Sequence, residues 1–264
     1  MGLAKFAVLV FAIKEYFTAG KNDLILDSVE TGIKKKFYDK AYWYFMLAAL
    51  VTIIGFFPSY FSRLTVTDPA HHLHGITATC WMLLLVVQPW LYKTGKLSLH
   101  RNLGKSSYVL VPLILLSGLN MVHIMLNNQV NYPPDLPYRL AFIDFITLAQ
   151  FLLFYGLAIN HRKKLQLHAR YMACTVLGPL IPALTRALFL IPWIDHFDKA
   201  LNTSYILIES VLVILLLDDR RTGRIRLPYV LALILFFVQH LVMNFVGQWT
   251  WWRSLMDAYA GLRF

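Results

Sequence analysis

The chain has 264 residues, of which 58% are hydrophobic, 15% aromatic and only 15% charged, and its formal net charge is +11. A soluble domain has about 45–50% apolar and about 25% charged residues, so a mean hydropathy of +0.55 excludes an ordinary water-soluble fold. It also excludes disorder, which requires low hydrophobicity. Cys80 and Cys174 both lie in apolar runs and form no C-x-x-C pair, which leaves no disulfide framework and no thiol redox motif.

In chain order, the first element is the apolar run Phe6–Ile13, flanked by Lys5 and Lys14-Glu15. It reads as an amphipathic helix lying on the membrane surface, with a polar linker following it to residue 40. A signal peptide is the other reading, but no clean A-x-A site follows. From residue 41 onwards, seven stretches have the length and apolar character of a membrane span, which needs roughly 20 residues: 41–60, 72–92, 103–126, 138–160, 169–192, 203–217 and 228–248. The sequence therefore predicts an all-α integral membrane bundle of seven transmembrane helices plus the N-terminal interfacial helix, organised as residues 1–40 and 41–264. Pro179 and Pro182 predict a kink in the fifth span, because each removes a backbone donor. Trp249, Trp251 and Trp252 after the last span have the amphipathic rings that anchor at membrane interfaces; stacking on a sugar or a quinone is the other use open to them.

The distribution of Lys and Arg orients the bundle. The gaps 21–40, 92–105, 161–170 and 218–227 hold 17 of these residues, and the alternate gaps 61–71, 127–139, 193–202 and 249–264 hold 5. By the positive-inside rule the basic side is cytoplasmic, with the N-terminus inside and the C-terminus outside, as expected of a bacterial inner-membrane protein. This also accounts for a sequence pI near 9.6 without nucleic acid as a partner: the charge marks topology and attracts anionic lipid.

Ionisable groups within spans are costly and mark function. His71, His72 and His74 open the second span; His123 lies in the third, Asp144 in the fourth, Arg186 in the fifth, Glu209 in the sixth and His240 in the seventh, with Asn244 one turn on. All fall in the outer leaflet, which predicts an outward-facing polar cavity. Imidazole with carboxylate suits a transition metal such as Zn, Fe or Cu, and three protein ligands with one open position is the pattern of catalytic zinc. His72 or His74, His123 and His240 are the candidate ligands, Asp144 or Glu209 a further ligand or general base, and Arg186 a holder of an anionic group. A hydrogen-bonded network, with Arg186 paired to Asp144 or Glu209, is the alternative. On the inner side, His100-Arg101-Asn102-Leu103-Gly104 and His168-Ala169-Arg170-Tyr171-Met172 open two spans in the same way. They read either as interfacial helix starts or as a cofactor-binding pair, His100 and His168, for haem b, a headgroup or a quinone.

The stretch from His72-Leu73-His74-Gly75 through Gln88 and Leu99–Gly104 to Leu167–Met172 resembles a bacterial multi-pass membrane family with the pattern HG…Q…lHR.lG…HkRlM; the resemblance implies a shared fold over residues 72–190 and brings no activity. A weaker similarity is to transmembrane b-type cytochromes with two haems, in which His72 or His74, His100 and His168 would fill three of four ligand places. The third place, on span 138–160, holds Arg139 and Asp144 instead of histidine. The architecture also resembles seven-span zinc hydrolases of the alkaline ceramidase and adiponectin-receptor kind; His72 or His74 and His240 match, but the last span reads H-x-x-x-N. A retinal protein is excluded by the absence of lysine from 228–248. The expected function is a metal-dependent enzyme, an oxidoreductase or hydrolase, acting on a lipid-soluble or periplasmic small molecule; the alternatives are a b-type haem electron carrier and a non-enzymatic transporter or assembly subunit that couples to protons.

Overall fold

A computed structural model describes residues 40–221 and 223–262; the expected surface helix at 6–13 and its linker lie outside the described residues. The helices are α1 (Ala41–Phe56), α2 (Pro69–Lys93), α3 (Leu97–Gly104), α4 (Ser107–Asn127), α5 (Leu136–Asn160), α6 (Leu165–Cys174), α7 (Leu177–Leu188), α8 (Phe197–Arg221), α9 (Leu227–Val246) and α10 (Thr250–Ala260), and no strand occurs among the described residues. Among the described residues, six helical stretches are long and apolar enough to cross a membrane: α2, α3 with α4, α5, α6 with α7, α8 and α9. The expected first span is shorter. α1 has 16 residues, and at 1.5 Å per residue it covers about 24 Å, less than the ~30 Å hydrocarbon core.

Local chemistry sets several boundaries. Asp68 caps α2: its carboxylate accepts from the backbone N–H of Ala70 at 3.0 Å and of His71 at 3.1 Å, and Pro69 takes the first helical position, where no donor is needed. The His71 backbone N–H, aided by the His71 ring and the Ala70 N–H, holds the Asp68 carboxyl below its ordinary value of 3.8. A lowered carboxyl acts in one direction. The charged cap is in full force above pH 3.8 and is lost as pH falls through the lower folded value. Asp68→Ala should therefore speed amide exchange at the start of α2 at neutral pH and make little difference in strong acid. Gly95, at φ +73°, turns the chain from α2 into α3, a conformation that glycine adopts without strain. The predicted kink near Pro179 is a full break. α6 ends at Cys174 and α7 starts at Leu177, two residues before the proline, whose missing N–H cannot bond back to the Thr175 carbonyl.

The interior is built on aromatics. Trp81 packs edge-on to Phe151 at 5.0 Å and to Tyr155 at 5.8 Å, and Phe154, Tyr171, Tyr205 and Phe236 are fully buried around them. α1 joins this bundle at Gly55, where an added Cβ would sit 2.1 Å from the Ala183 carbonyl oxygen on α7. Gly55→Ala must push the helices apart, and overpacking of this sort costs about 1–3 kcal/mol, which thermal unfolding in detergent should register.

The basic end is closed by a buried ion pair. Arg170 on α6 reaches Asp219 on α8 through Nη2 at 2.5 Å and Nε at 3.1 Å, with both side chains almost inaccessible. Asp219 also accepts the Arg226 backbone N–H at 3.2 Å. At the opposite end, α10 lies against α4 and α5. Trp252 donates to the Tyr138 carbonyl at 2.8 Å and Tyr259 to the Leu119 carbonyl at 3.0 Å. Burial of Trp252 leaves Trp249 and Trp251 exposed, with ring centroids 5.7 Å apart. Cys80 and Cys174 are both free.

Candidate functional site

Three of the residues singled out in the sequence, Glu209, His240 and Asn244, come together beside Tyr205. On α8, Asp198, Asn202, Tyr205 and Glu209 follow helical spacing and share one face, and α9 brings His240 and Asn244 against it. The His240 ring stacks on Tyr205, with centroids 4.8 Å apart and planes 17° apart. Its Nδ1 lies 2.9 Å from Glu209 Oε1 and its Nε2 lies 3.0 Å from Asn202 Oδ1. The Asn202 amide is oriented by its own Nδ2, which donates to the Asp198 carbonyl at 2.7 Å, so oxygen faces the ring. Both ring nitrogens thus face acceptors. A neutral imidazole carries one N–H and an imidazolium carries two, and only the imidazolium donates on both sides.

The network extends outward. Arg139 on α5 donates to Asn244 Oδ1 at 3.1 Å and pairs with Asp198. The Tyr205 hydroxyl is buried without a hydrogen-bond partner, and so is Arg139 Nε. The same hydroxyl lies within electrostatic reach of Asp144, Arg139 and Glu209. Asp144 in turn faces Arg186, whose guanidinium lies 4.6 Å from the centre of the Phe56 ring and donates to the Pro182 carbonyl at 3.0 Å. Burying an unpaired phenol costs free energy, so the hydroxyl marks where a water or ligand oxygen belongs. The two clearest hollows, one beside Thr147, Gln150 and Cys174 and the other along Gln248–Trp251, border none of Asp144, Glu209 and His240.

The other histidines expected as metal ligands go elsewhere. His72 is engaged at both nitrogens, by the Tyr60 hydroxyl at 3.2 Å and the Leu64 carbonyl at 3.1 Å. His74 reaches Ser117 on α4 at 3.2 Å. His123 lies 2.9 Å from the Leu262 carbonyl, beside Asn127, and meets the Tyr259 ring edge-on. Each ties its helix to a neighbouring segment rather than facing His240. Among the described residues no group of three or more His, Cys, Asp or Glu side chains is arranged to hold a metal ion.

The inner pair stands at the basic end. His100 Nδ1 lies 3.2 Å from the Gln88 carbonyl, and His168 Nδ1 lies 2.9 Å from the Ala158 carbonyl. The two imidazoles are within electrostatic reach of each other.

Sequence reasoning passed over Tyr205, Asn202 and Arg139. Tyr205 sits in an apolar run and reads as core, yet the spacing Asp198, Asn202, Tyr205, Glu209 is a signal that could have found it. Gln150 and Gln239, buried and hydrogen-bonded at 3.0 Å in mid-bundle, were equally legible as polar interruptions. No protein-family model, no curated protein and no solved structure matches this chain.

Proposed function

We propose that the protein is a proton-coupled carrier of small molecules in a bacterial inner membrane, with the basic end cytoplasmic, the C-terminus outside and α1 as the seventh span. His240 carries the exchangeable proton. The observation that supports this most is the ring held between Glu209 and Asn202, two oxygen acceptors, within the outer part of the bundle. Ionisable groups in such places serve proton relays and ion paths. Glu209 supplies the counter-charge, Asn202 and Asn244 link the ring to Arg139, and Tyr205 covers one face. Arg186, beside Asp144 and at the end of its helix, is the cation that would meet an anionic or polar group arriving from outside.

A metal-assisted reaction at this site would need ligands beyond His240, Glu209 and Asp144, because His72, His74 and His123 are committed to helix contacts. Proton transfer needs none of them. Liposomes containing the protein and a trapped pH dye should take up protons faster than empty liposomes under an inside-negative potential. His240→Gln and Glu209→Gln should bring the rate back to that of empty liposomes. Equal rates for the native protein and His240→Gln would contradict the reading.

A further inference from the structure

The break between α6 and α7 lies beside the two buried glutamines in the middle of the bundle. A hollow there is walled by Thr147 and Gln150 on α5, by Cys174, Thr175 and Gly178 at the break, and by aromatic rings. It is too narrow for a water molecule, and no charged side chain among the described residues lines it. Gly178 permits the close approach of α7 to α5: an added Cβ would sit 2.6 Å from Thr147 Cγ2.

The hydrogen bonds fix which atoms are left over. Gln239 Nε2 donates to the Ile143 carbonyl at 2.9 Å and to Thr147 Oγ1 at 3.2 Å. A carbonyl only accepts, so this amide cannot be turned round, and its Oε1 is the atom that meets Gln150. Gln150 Nε2 then donates to Gln239 Oε1 at 3.0 Å and to the Leu235 carbonyl at 3.4 Å. Each amide nitrogen has two hydrogens, so the donors of both glutamines are engaged. Gln150 is 5% exposed, and no donor reaches its buried Oε1. Thr147 Oγ1 keeps a further lone pair. At the break, Pro179 has no N–H to return to the Thr175 carbonyl, and the Thr175 hydroxyl donates to the Met172 carbonyl at 2.6 Å. Neutral oxygens thus remain around the hollow, and leaving buried acceptors unmatched costs free energy.

We propose that this hollow binds a dehydrated sodium ion through Gln150 Oε1, Thr147 Oγ1 and the Thr175 carbonyl. An anion would need amide or charged donors, and the amide donors are engaged. Hard cations take oxygen ligands, and the divalent ones draw on carboxylates, which are absent from the hollow. Neutral oxygens hold monovalent ions by replacing their hydration shell. Broken helices with freed carbonyls in mid-membrane are the places where secondary transporters coordinate sodium. The narrowness of the hollow favours sodium over the larger potassium ion. The site is separate from the His240 network, and equilibrium binding to it does not depend on the transport reading.

The test is equilibrium binding of radioactive sodium to purified protein in nanodiscs, with choline chloride holding the ionic strength constant. The unfolding midpoint in detergent is followed alongside in sodium, potassium and choline chloride. The expected result is saturable one-to-one binding and a midpoint that rises with sodium more than with potassium, because a ligand held only by the folded state stabilises it. Gln150→Leu should abolish both effects. Gln150→Glu keeps an oxygen at the ligand position and should retain binding. Pro179→Ala supplies an N–H that can pair with the Thr175 carbonyl, so it should weaken sodium binding while leaving the midpoint in choline chloride at least as high as in the native protein. A misfolded variant would not show that combination. Absence of saturable sodium binding, equal midpoints in the three salts, or binding undiminished in Gln150→Leu overturns the proposal. Binding lost as fully in Gln150→Glu as in Gln150→Leu would mark a packing residue and overturn the ligand assignment.

Discussion

Asp219→Ala is expected to be among the most destabilising single substitutions in the bundle. Asp219 is 1% exposed and Arg170 6% exposed at the side chain, so the substitution leaves a guanidinium at an almost dry helix junction, facing Gln166 and the Tyr229 ring. Removing one partner of a buried pair costs about 3–5 kcal/mol. It also frees the Arg226 backbone N–H that starts α9. The check is the unfolding midpoint in detergent, with Arg170→Met/Asp219→Leu as its complement. Swapping a whole buried pair for apolar side chains is often close to neutral, so the double variant should recover much of what the single one loses. A single variant as stable as the native protein would mean that the pair is solvated and locks nothing.

The second large effect is expected at the Glu209–His240 pair. His240→Ala leaves the Glu209 carboxylate, 17% exposed, beside the Tyr205 ring with no donor in place of the imidazole. The loss should again approach about 3 kcal/mol. Glu209→Gln is milder: the amide keeps an oxygen for Nδ1 and sheds the charge. The double variant removes charge and ring together and should be more stable than His240→Ala alone. A double-mutant cycle reads the coupling directly, and contacting charged partners are coupled where distant sites add. Strict additivity would show that Glu209 and His240 do not share a proton.

The two histidine sets show what a sequence of this kind displays. Hydropathy and charge give the depth of each residue along its helix and not its azimuth around it. Depth places Asp144, Arg186, Glu209 and His240 at similar distances along their helices; of the four, Glu209 and His240 touch, and Asp144 and Arg186 are within electrostatic reach of each other. His123 shares that level but looks the other way, toward Leu262 and Tyr259 beyond the last span. The helix α10 on which this depends was read only as an aromatic anchor, because 11 residues with Trp251 exposed and Trp252 buried are too short to announce themselves by periodicity. His72 was lost to the turn before α2, where Tyr60 and Leu64 reach it. The breaks at 105–106 and 175–176 differ in legibility: Gly104-Lys105-Ser106-Ser107 interrupts the apolar run in the letters, whereas around Thr175-Val176 apolar character continues and only Pro179 hints that the helical ladder is interrupted. At the basic end, the likeness of Leu99-His100-Arg101 to Leu167-His168-Ala169-Arg170 was visible in the letters. That both rings turn Nδ1 onto carbonyls was not, since it depends on how each short helix folds back on the long one. The span count diverges at α1, where the apolar stretch continues to residue 60 and the helix stops at Phe56, ahead of Pro58.

The most direct measurement of the central claim is the protonation of the His240 ring, read by nitrogen-15 NMR on histidine-labelled protein in nanodiscs, with the signals assigned by their loss in His240→Gln. The two acceptors and the Glu209 counter-charge together predict that both ring nitrogens show the shifts of protonated imidazolium, and that Glu209→Gln, which keeps an acceptor but removes the charge, converts one of them to the bare type. One protonated and one bare nitrogen in the native protein, unchanged by Glu209→Gln, would contradict the account, because a neutral ring between Glu209 and Asn202 would hold no proton to exchange.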